Sequence, residues 1–121
     1  MNCIGTDIIE VTRIQQAINN RGERFLNRIY TQAELTICKN RPWRLAARFA
    51  GKEAVMKALG TGVRGISWKE IEILAESSGK PLVHLHGKAK KRADFLGLKS
   101  IAISLSDSKE YAIAFAVGED R

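Results

Sequence analysis

Two carboxylates in this 121-residue sequence stand in stretches that otherwise read as protein core. Glu53 lies within Arg48-Phe-Ala-Gly-Lys-Glu-Ala-Val-Met-Lys57, with Lys52 beside it and Lys57 one helical turn on. Asp7 lies within Ile4-Gly-Thr-Asp-Ile-Ile9, where side chains alternate between the two faces of a strand. A carboxylate taken out of water must find a cation or hydrogen-bond donors, and a buried ammonium needs partners as well. Two readings fit. In one, Glu53 and Lys57 form a structural i,i+4 ion pair and Asp7 is a strand-end acid. In the other, Asp7 and Glu53 together offer oxygens to a hard cation such as Mg²⁺. That ion takes one or two carboxylates and completes its shell with water and phosphate oxygens. Arg48, Lys52 and Lys57 would then be cationic neighbours of the same phosphates. Spacing alone does not bring residues 7 and 53 together.

The elements that must position these groups are readable from periodicity and punctuation. Residues 2–9 read as a strand rich in β-branched side chains, and Val11, Ile14, Ala17 and Ile18 give residues 11–20 a helical period. Thr31 with Glu34 makes a capping box for a helix to about Lys39. Pro42 opens a long helix from about Trp43 to Leu59, and Gly60 suits its C-terminal cap. Wound at 100° per residue, that helix gathers Leu45, Phe49, Met56 and Leu59 on one side. Ala47, Ala50, Gly51, Ala54 and Ala58 form a small-residue face on the other, where another backbone can approach. A helix apolar nearly all round is buried. Beyond it, residues 71–75 and 82–86 read as strands around a Ser77–Pro81 turn. Gly87–Phe95 reads as a short basic helix, and residues 101–105 and 111–117 as a final hairpin through Asp107-Ser-Lys109. This order predicts one α+β domain over residues 1–121, a mainly antiparallel sheet packed on the long helix.

Composition bounds the function. The chain is 45% hydrophobic and 27% charged, as globular domains are, and no apolar run approaches the roughly 20 residues of a membrane span. No basic region followed by an apolar stretch opens the chain, so no signal peptide is expected. Cys3 and Cys38 lack metal-ligand spacing and read as free thiols of a reducing cytoplasm. Net charge is +7, and the segment from Arg13 to Arg48, with eight basic residues and two acids, carries +6 of it. A basic surface implies an acidic partner. A small nucleic-acid-binding domain is the alternative from charge. Aromatic residues make up only 7% of the chain and do not interleave with basic ones, which argues against it. His84 and His86 read as a solvated strand face, and Lys88-Ala-Lys-Lys-Arg92 as a solvated helix face. Ser104-Leu-Ser106 has no neighbouring His-Asp set for hydrolase chemistry. Gly60-Thr-Gly62 reads as a helix cap or as a nest of backbone amides for phosphate. Because a helix C-terminus repels anions, the second reading needs the nest or nearby cations.

Taken in order, Gly5-Thr-Asp7, Arg48-Phe-Ala-Gly-Lys-Glu-Ala54 with Lys57, Gly60-Thr-Gly62, Gly79-Lys-Pro81, and Ser104-Leu-Ser106 before Glu110-Tyr-Ala112 resemble holo-acyl-carrier-protein synthase. This is the small type of 4′-phosphopantetheinyl transferase, and the resemblance runs end to end. It implies transfer of 4′-phosphopantetheine from coenzyme A to a serine of an acidic apo-acyl carrier protein, in support of fatty acid biosynthesis. It implies Mg²⁺ on Asp7 and Glu53, with Lys57 contacting phosphates or assisting removal of the serine proton. Arg48, Lys52, Gly60, Thr61, Gly62, Lys80 and Pro81 match coenzyme A-contacting positions. Arg13, Arg21, Arg24, Phe25 and Arg28 match carrier-protein-binding positions. The small type is a homotrimer with active sites between subunits. Where larger relatives have a second acid two residues after the aspartate, this chain has Ile9, as expected for the small type, and Glu10 is not assigned to metal. Asp107 stands where the family commonly has histidine. It reads either as a carboxylate beside the bound nucleotide's phosphates or, as the preferred reading, as a turn residue accepting the backbone N–H of Lys109.

Overall fold

The computed structural model describes residues 2–120, apart from the side chains of Asn2 and Arg64. Met1 and Arg121, the ends of the expected domain, lie outside the described residues. The chain forms β1 (Asn2–Glu10), α1 (Val11–Arg21), α2 (Glu23–Ile29), α3 (Gln32–Cys38) and α4 (Pro42–Leu59). Short 3₁₀ turns at Gly62–Arg64 and Trp68–Glu70 lead to β2 (Ile71–Ala75), β3 (Pro81–Leu85), α5 (Gly87–Phe95), β4 (Ser100–Asp107) and β5 (Tyr111–Glu119). One antiparallel sheet has the order β1-β5-β4, and β2 with β3 forms an antiparallel hairpin. The α+β class read from the sequence is what the chain adopts. Among the described residues no helix is long and apolar enough to cross a membrane.

The expected order missed one helix. α2 is seven residues long, starts directly after Gly22, and buries Phe25 and Ile29, one turn apart, against the core. The second strand of the small hairpin is shifted by one residue, so His86 leaves it and becomes the residue preceding α5. Pro42 at the first turn and Gly60 with φ +73° bound α4 as expected.

The small-residue face of α4 is used inside the chain. Ala50, Ala54 and Ala58 pack toward the inner face of the sheet, where β5 presents Ala112, Ala114 and Ala116, all buried. On β1 the contact is backbone to backbone. A Cβ on Gly5 would stand 1.9 Å from the Ala54 carbonyl oxygen and 2.7 Å from the Ala58 nitrogen. Any side chain there would push α4 off the sheet. Gly5 therefore fixes the distance at which Asp7, two residues on and so on the same strand face, meets α4.

Candidate active site

The two acids singled out in the sequence meet. Asp7, on β1 opposite Ala114 of β5, faces the stretch of α4 that carries Glu53 and Lys57. Lys57 does not close the i,i+4 pair with Glu53. Its Nζ reaches across to β1, donating to Asp7 Oδ1 at 3.2 Å and to the Thr6 carbonyl at 2.9 Å. Glu53 is half-buried, and its carboxyl is raised above its ordinary value of 4.5, first by burial and then by the Asp7 charge, with Lys57 opposing. A carboxylate held up by a second carboxylate is a site short of positive charge. Two acids with no third acidic or imidazole ligand around them fit a hard ion that takes one or two protein oxygens, and among the described residues no larger ligand cluster exists.

At the end of α4, Gly60 and Gly62 both have positive φ, and Thr61 Oγ1 is buried without a hydrogen-bond partner among the described residues. Lys80 is exposed, Pro81 opens β3, and neither has a hydrogen bond or ion pair to the Asp7–Glu53–Lys57 cluster. Arg48 is buried and turned toward β2, where its Nε donates to the Ile73 carbonyl at 3.3 Å. Among the described residues it forms no ion pair with either acid.

Lys52 requires a correction. Read from the sequence as a coenzyme A contact, its side chain is 0% exposed and its three ammonium protons have partners. Nζ donates to Glu34 Oε1 at 2.8 Å, to the Ile71 carbonyl at 2.6 Å and to the Trp68 carbonyl at 3.1 Å. Glu34 is equally buried, caps α3 through the Thr31 N–H, and accepts the Ile73 N–H on its other oxygen. Burial lowers the Lys52 ammonium from its ordinary 10.5 despite Glu34. Lys52 thus ties α4 to α3 and β2, with no proton left for a phosphate. Glu34 is a residue that sequence reasoning saw only as a cap.

Next to this anchor, a cavity of about 690 Å³ opens with Arg21, Arg24 and Arg28 on its walls over Phe25, Phe49 and Trp68. Phe49 and Trp68 are stacked with centroids 4.8 Å apart. The three arginines are exposed and have no carboxylate partner among the described residues. Phe25, expected as a partner contact, is 8% exposed and packs edge-on against Tyr30, so its larger role is in the core. Arg13 is exposed on α1 and does not line the cavity.

Other expectations resolve plainly. Both cysteines are free, and burial pushes the Cys38 thiol up to about 11, so it is inert as a nucleophile. His84 and His86 are exposed, with His86 Nε2 3.1 Å from Glu72. The turn role expected of Asp107 belongs to Ser108. Ser108 Oγ accepts the N–H groups of Glu110 and Tyr111, and its N–H donates to the Tyr111 carbonyl. Asp107 is the exposed last residue of β4 instead.

Residues 3–116 match the family described as the 4′-phosphopantetheinyl transferase superfamily. The chain belongs to that superfamily. A holo-[acyl-carrier-protein] synthase of Dehalococcoides mccartyi is 53% identical over 116 residues, covering 96% of this chain and 97% of the relative. The Helicobacter pylori holo-[acyl-carrier-protein] synthase, solved in complex with coenzyme A, superposes with a TM-score of 0.88 at 32% identity, covering 96% and 99% of the two chains. The Bacillus anthracis enzyme, solved in complex with coenzyme A (3′,5′-ADP), gives 0.80 at 33% identity, covering 98% and 96%. This member of the superfamily is an enzyme of the phosphopantetheinyl transferase class, and the resemblance read from its motifs is correct.

Proposed function

We propose that the chain transfers 4′-phosphopantetheine from coenzyme A to a serine of an apo-acyl carrier protein. The serine oxygen bonds to the phosphorus nearer the pantetheine arm. The bond from that phosphorus to the pyrophosphate's bridging oxygen breaks, adenosine 3′,5′-bisphosphate leaves, and the serine proton is released to solvent. The observation that carries this reading is the meeting of Asp7, Glu53 and Lys57 where β1 crosses α4. Asp7 and Glu53 would hold Mg²⁺, which when bound neutralises charge developing on the leaving phosphate. Lys57, half-exposed at 54%, can swing from Asp7 to a phosphate oxygen or to the serine hydroxyl. Gly60, Thr61, Gly62, Lys80, Pro81 and Arg48, which is 8% exposed, are the proposed coenzyme A contacts. Incubation with coenzyme A, Mg²⁺ and apo-acyl carrier protein should add one phosphopantetheine arm to the acceptor's mass. An unchanged mass would overturn the reading.

The arginine-walled cavity is the proposed dock for the acidic carrier protein. Arg24→Glu should raise the acceptor KM about tenfold or more and leave coenzyme A affinity unchanged. The wild-type KM should climb between low and high salt, because exposed charges act mainly on encounter. A KM indifferent to both would remove the cavity from the account.

Assembly as a homotrimer is proposed from the outer face of the sheet. Ile4 and Ile8 on β1, with Ile113 and Phe115 on β5, are 60%, 59%, 45% and 47% exposed, and the register sets Ile8 opposite Ile113 and Thr6 opposite Phe115. Such a contiguous apolar face is an interface in waiting. A second and third copy would cover it and bring Lys80 and Pro81 of one subunit toward the acids of another. Phe115→Glu is expected to give monomers by light scattering and to lose turnover. An active monomeric variant would contradict the shared site. In this reading the enzyme works in the cytoplasm, in fatty acid biosynthesis.

A further inference from the structure

α4 ends in carbonyls that carry the negative end of its dipole, so a phosphate at Gly60–Thr61–Gly62 meets repulsion unless a cation stands there. Arg92 of α5 stands there. Its Nε donates to the Leu59 carbonyl at 2.9 Å, and Nη2 lies 3.6 Å from where a Cβ on Gly60 would be. The guanidinium thus lies within van der Waals reach of the Gly60 position. Its plane is held against Phe95, with the ring centroid 5.5 Å away. Among the described residues no carboxylate pairs with Arg92, and the Leu59 bond uses one of its five N–H donors. Beside it Thr61 Oγ1 is buried and unpartnered, and Gly60 and Gly62 hold positive φ. Gly60 lies seven residues beyond Glu53, about 10 Å along the helix axis at 1.5 Å per residue. That separation suits a second phosphate of one extended ligand whose first phosphate sits at the acids.

We infer that Arg92 is a phosphate-binding residue of the coenzyme A site, reaching the ligand from α5 alongside the Gly60–Gly62 loop. The inference rests on the proposed coenzyme A reading of that loop and adds to it a cation from a different element. The phosphate is either the 3′-phosphate or one of the pyrophosphate, and the two are separable.

Calorimetric titration with coenzyme A and with dephospho-coenzyme A, in Mg²⁺ buffer, tests it on wild type, Arg92→Gln and Arg92→Lys. Arg92→Gln should weaken coenzyme A binding about tenfold or more, the scale of a lost charge-assisted contact, with acceptor KM unchanged. The Lys variant should recover part of the loss. A defect that vanishes with dephospho-coenzyme A assigns the 3′-phosphate, and one that persists assigns the pyrophosphate. Binding by Arg92→Gln within twofold of wild type, alongside a lowered melting temperature, would show a helix cap only and overturn the inference. Should the Gln variant fail to fold, Arg92→Lys decides. It keeps the charge but replaces the planar fork of the guanidinium with a single nitrogen of different reach, so affinity unchanged from wild type again overturns the claim. Wild-type protein that binds no coenzyme A would refute the site reading, and this inference with it.

Discussion

Glu53→Gln is expected to cut turnover by roughly a hundredfold or more while making the protein harder to melt near neutral pH. The loss follows from removing one electrostatic stabiliser of the transition state, an effect of that scale where a single key group is deleted. The gain follows from the raised carboxyl. Because the folded carboxyl sits above 4.5, burial and Asp7 make the fold hold a proton there more readily than the unfolded chain does. Ionisation through the window from 4.5 up to the folded value therefore costs stability. Glutamine escapes that cost. Its advantage should be absent below about pH 4, appear as pH rises through the window and stay level above it, in melting curves taken without divalent ions. A variant that is less stable than wild type at pH 7, or one that keeps most of its turnover, would speak against the paired-acid site.

Lys52→Met is expected to destabilise the fold by about 3–5 kcal/mol, the cost of leaving one member of a buried pair without the other. Glu34 would be left fully enclosed without its cation, with only the Thr31 and Ile73 N–H groups as partners. Against a total stability of about 5–15 kcal/mol that is a large share. Changing both partners should cost far less. In Glu34→Gln/Lys52→Met neither position carries a charge, and the amide oxygen still accepts one of the two backbone N–H groups. The lowered Lys52 ammonium agrees, since the pair sits at a net desolvation cost. Urea midpoints at unchanged slope measure the difference. Equal losses in the single and double variants would show that packing, not charge, sets the effect. A near-wild-type Lys52→Met that binds coenzyme A poorly would restore the phosphate role that its burial contradicts.

What the sequence revealed follows the range of the interactions. The ends of α4 were legible because Pro42 and Gly60 are local signals, and Thr31–Glu34 because a capping box spans three residues. α2 was not, although Phe25 and Ile29 one turn apart were its available signal. Seven residues hold too little period to separate a helix from a basic loop. Lys52 in an apolar helix reads as a phosphate contact because no buried partner is visible near it in the sequence. Its partner is 18 residues away, and Glu34 in turn reaches Ile73 across 39. Asp7 and Glu53 were each visible as acids in apolar sequence, and what joined them was tertiary. Gly5 was the clue available, a glycine in a strand that lets a helix backbone approach. Asp107 was misread because a neighbouring Ser108 could serve the same turn, and hydrogen-bond geometry rather than composition selects between them.

The paired acids as the holder of Mg²⁺ for the coenzyme A pyrophosphate are tested most directly by linkage. Coenzyme A is titrated calorimetrically into wild type at a series of free Mg²⁺ concentrations, and the same is done with Asp7→Asn. The account predicts that Mg²⁺ tightens coenzyme A binding to wild type, that coenzyme A tightens Mg²⁺ binding by the same factor, and that this coupling disappears in the variant. Coupling of equal size in wild type and Asp7→Asn would contradict it.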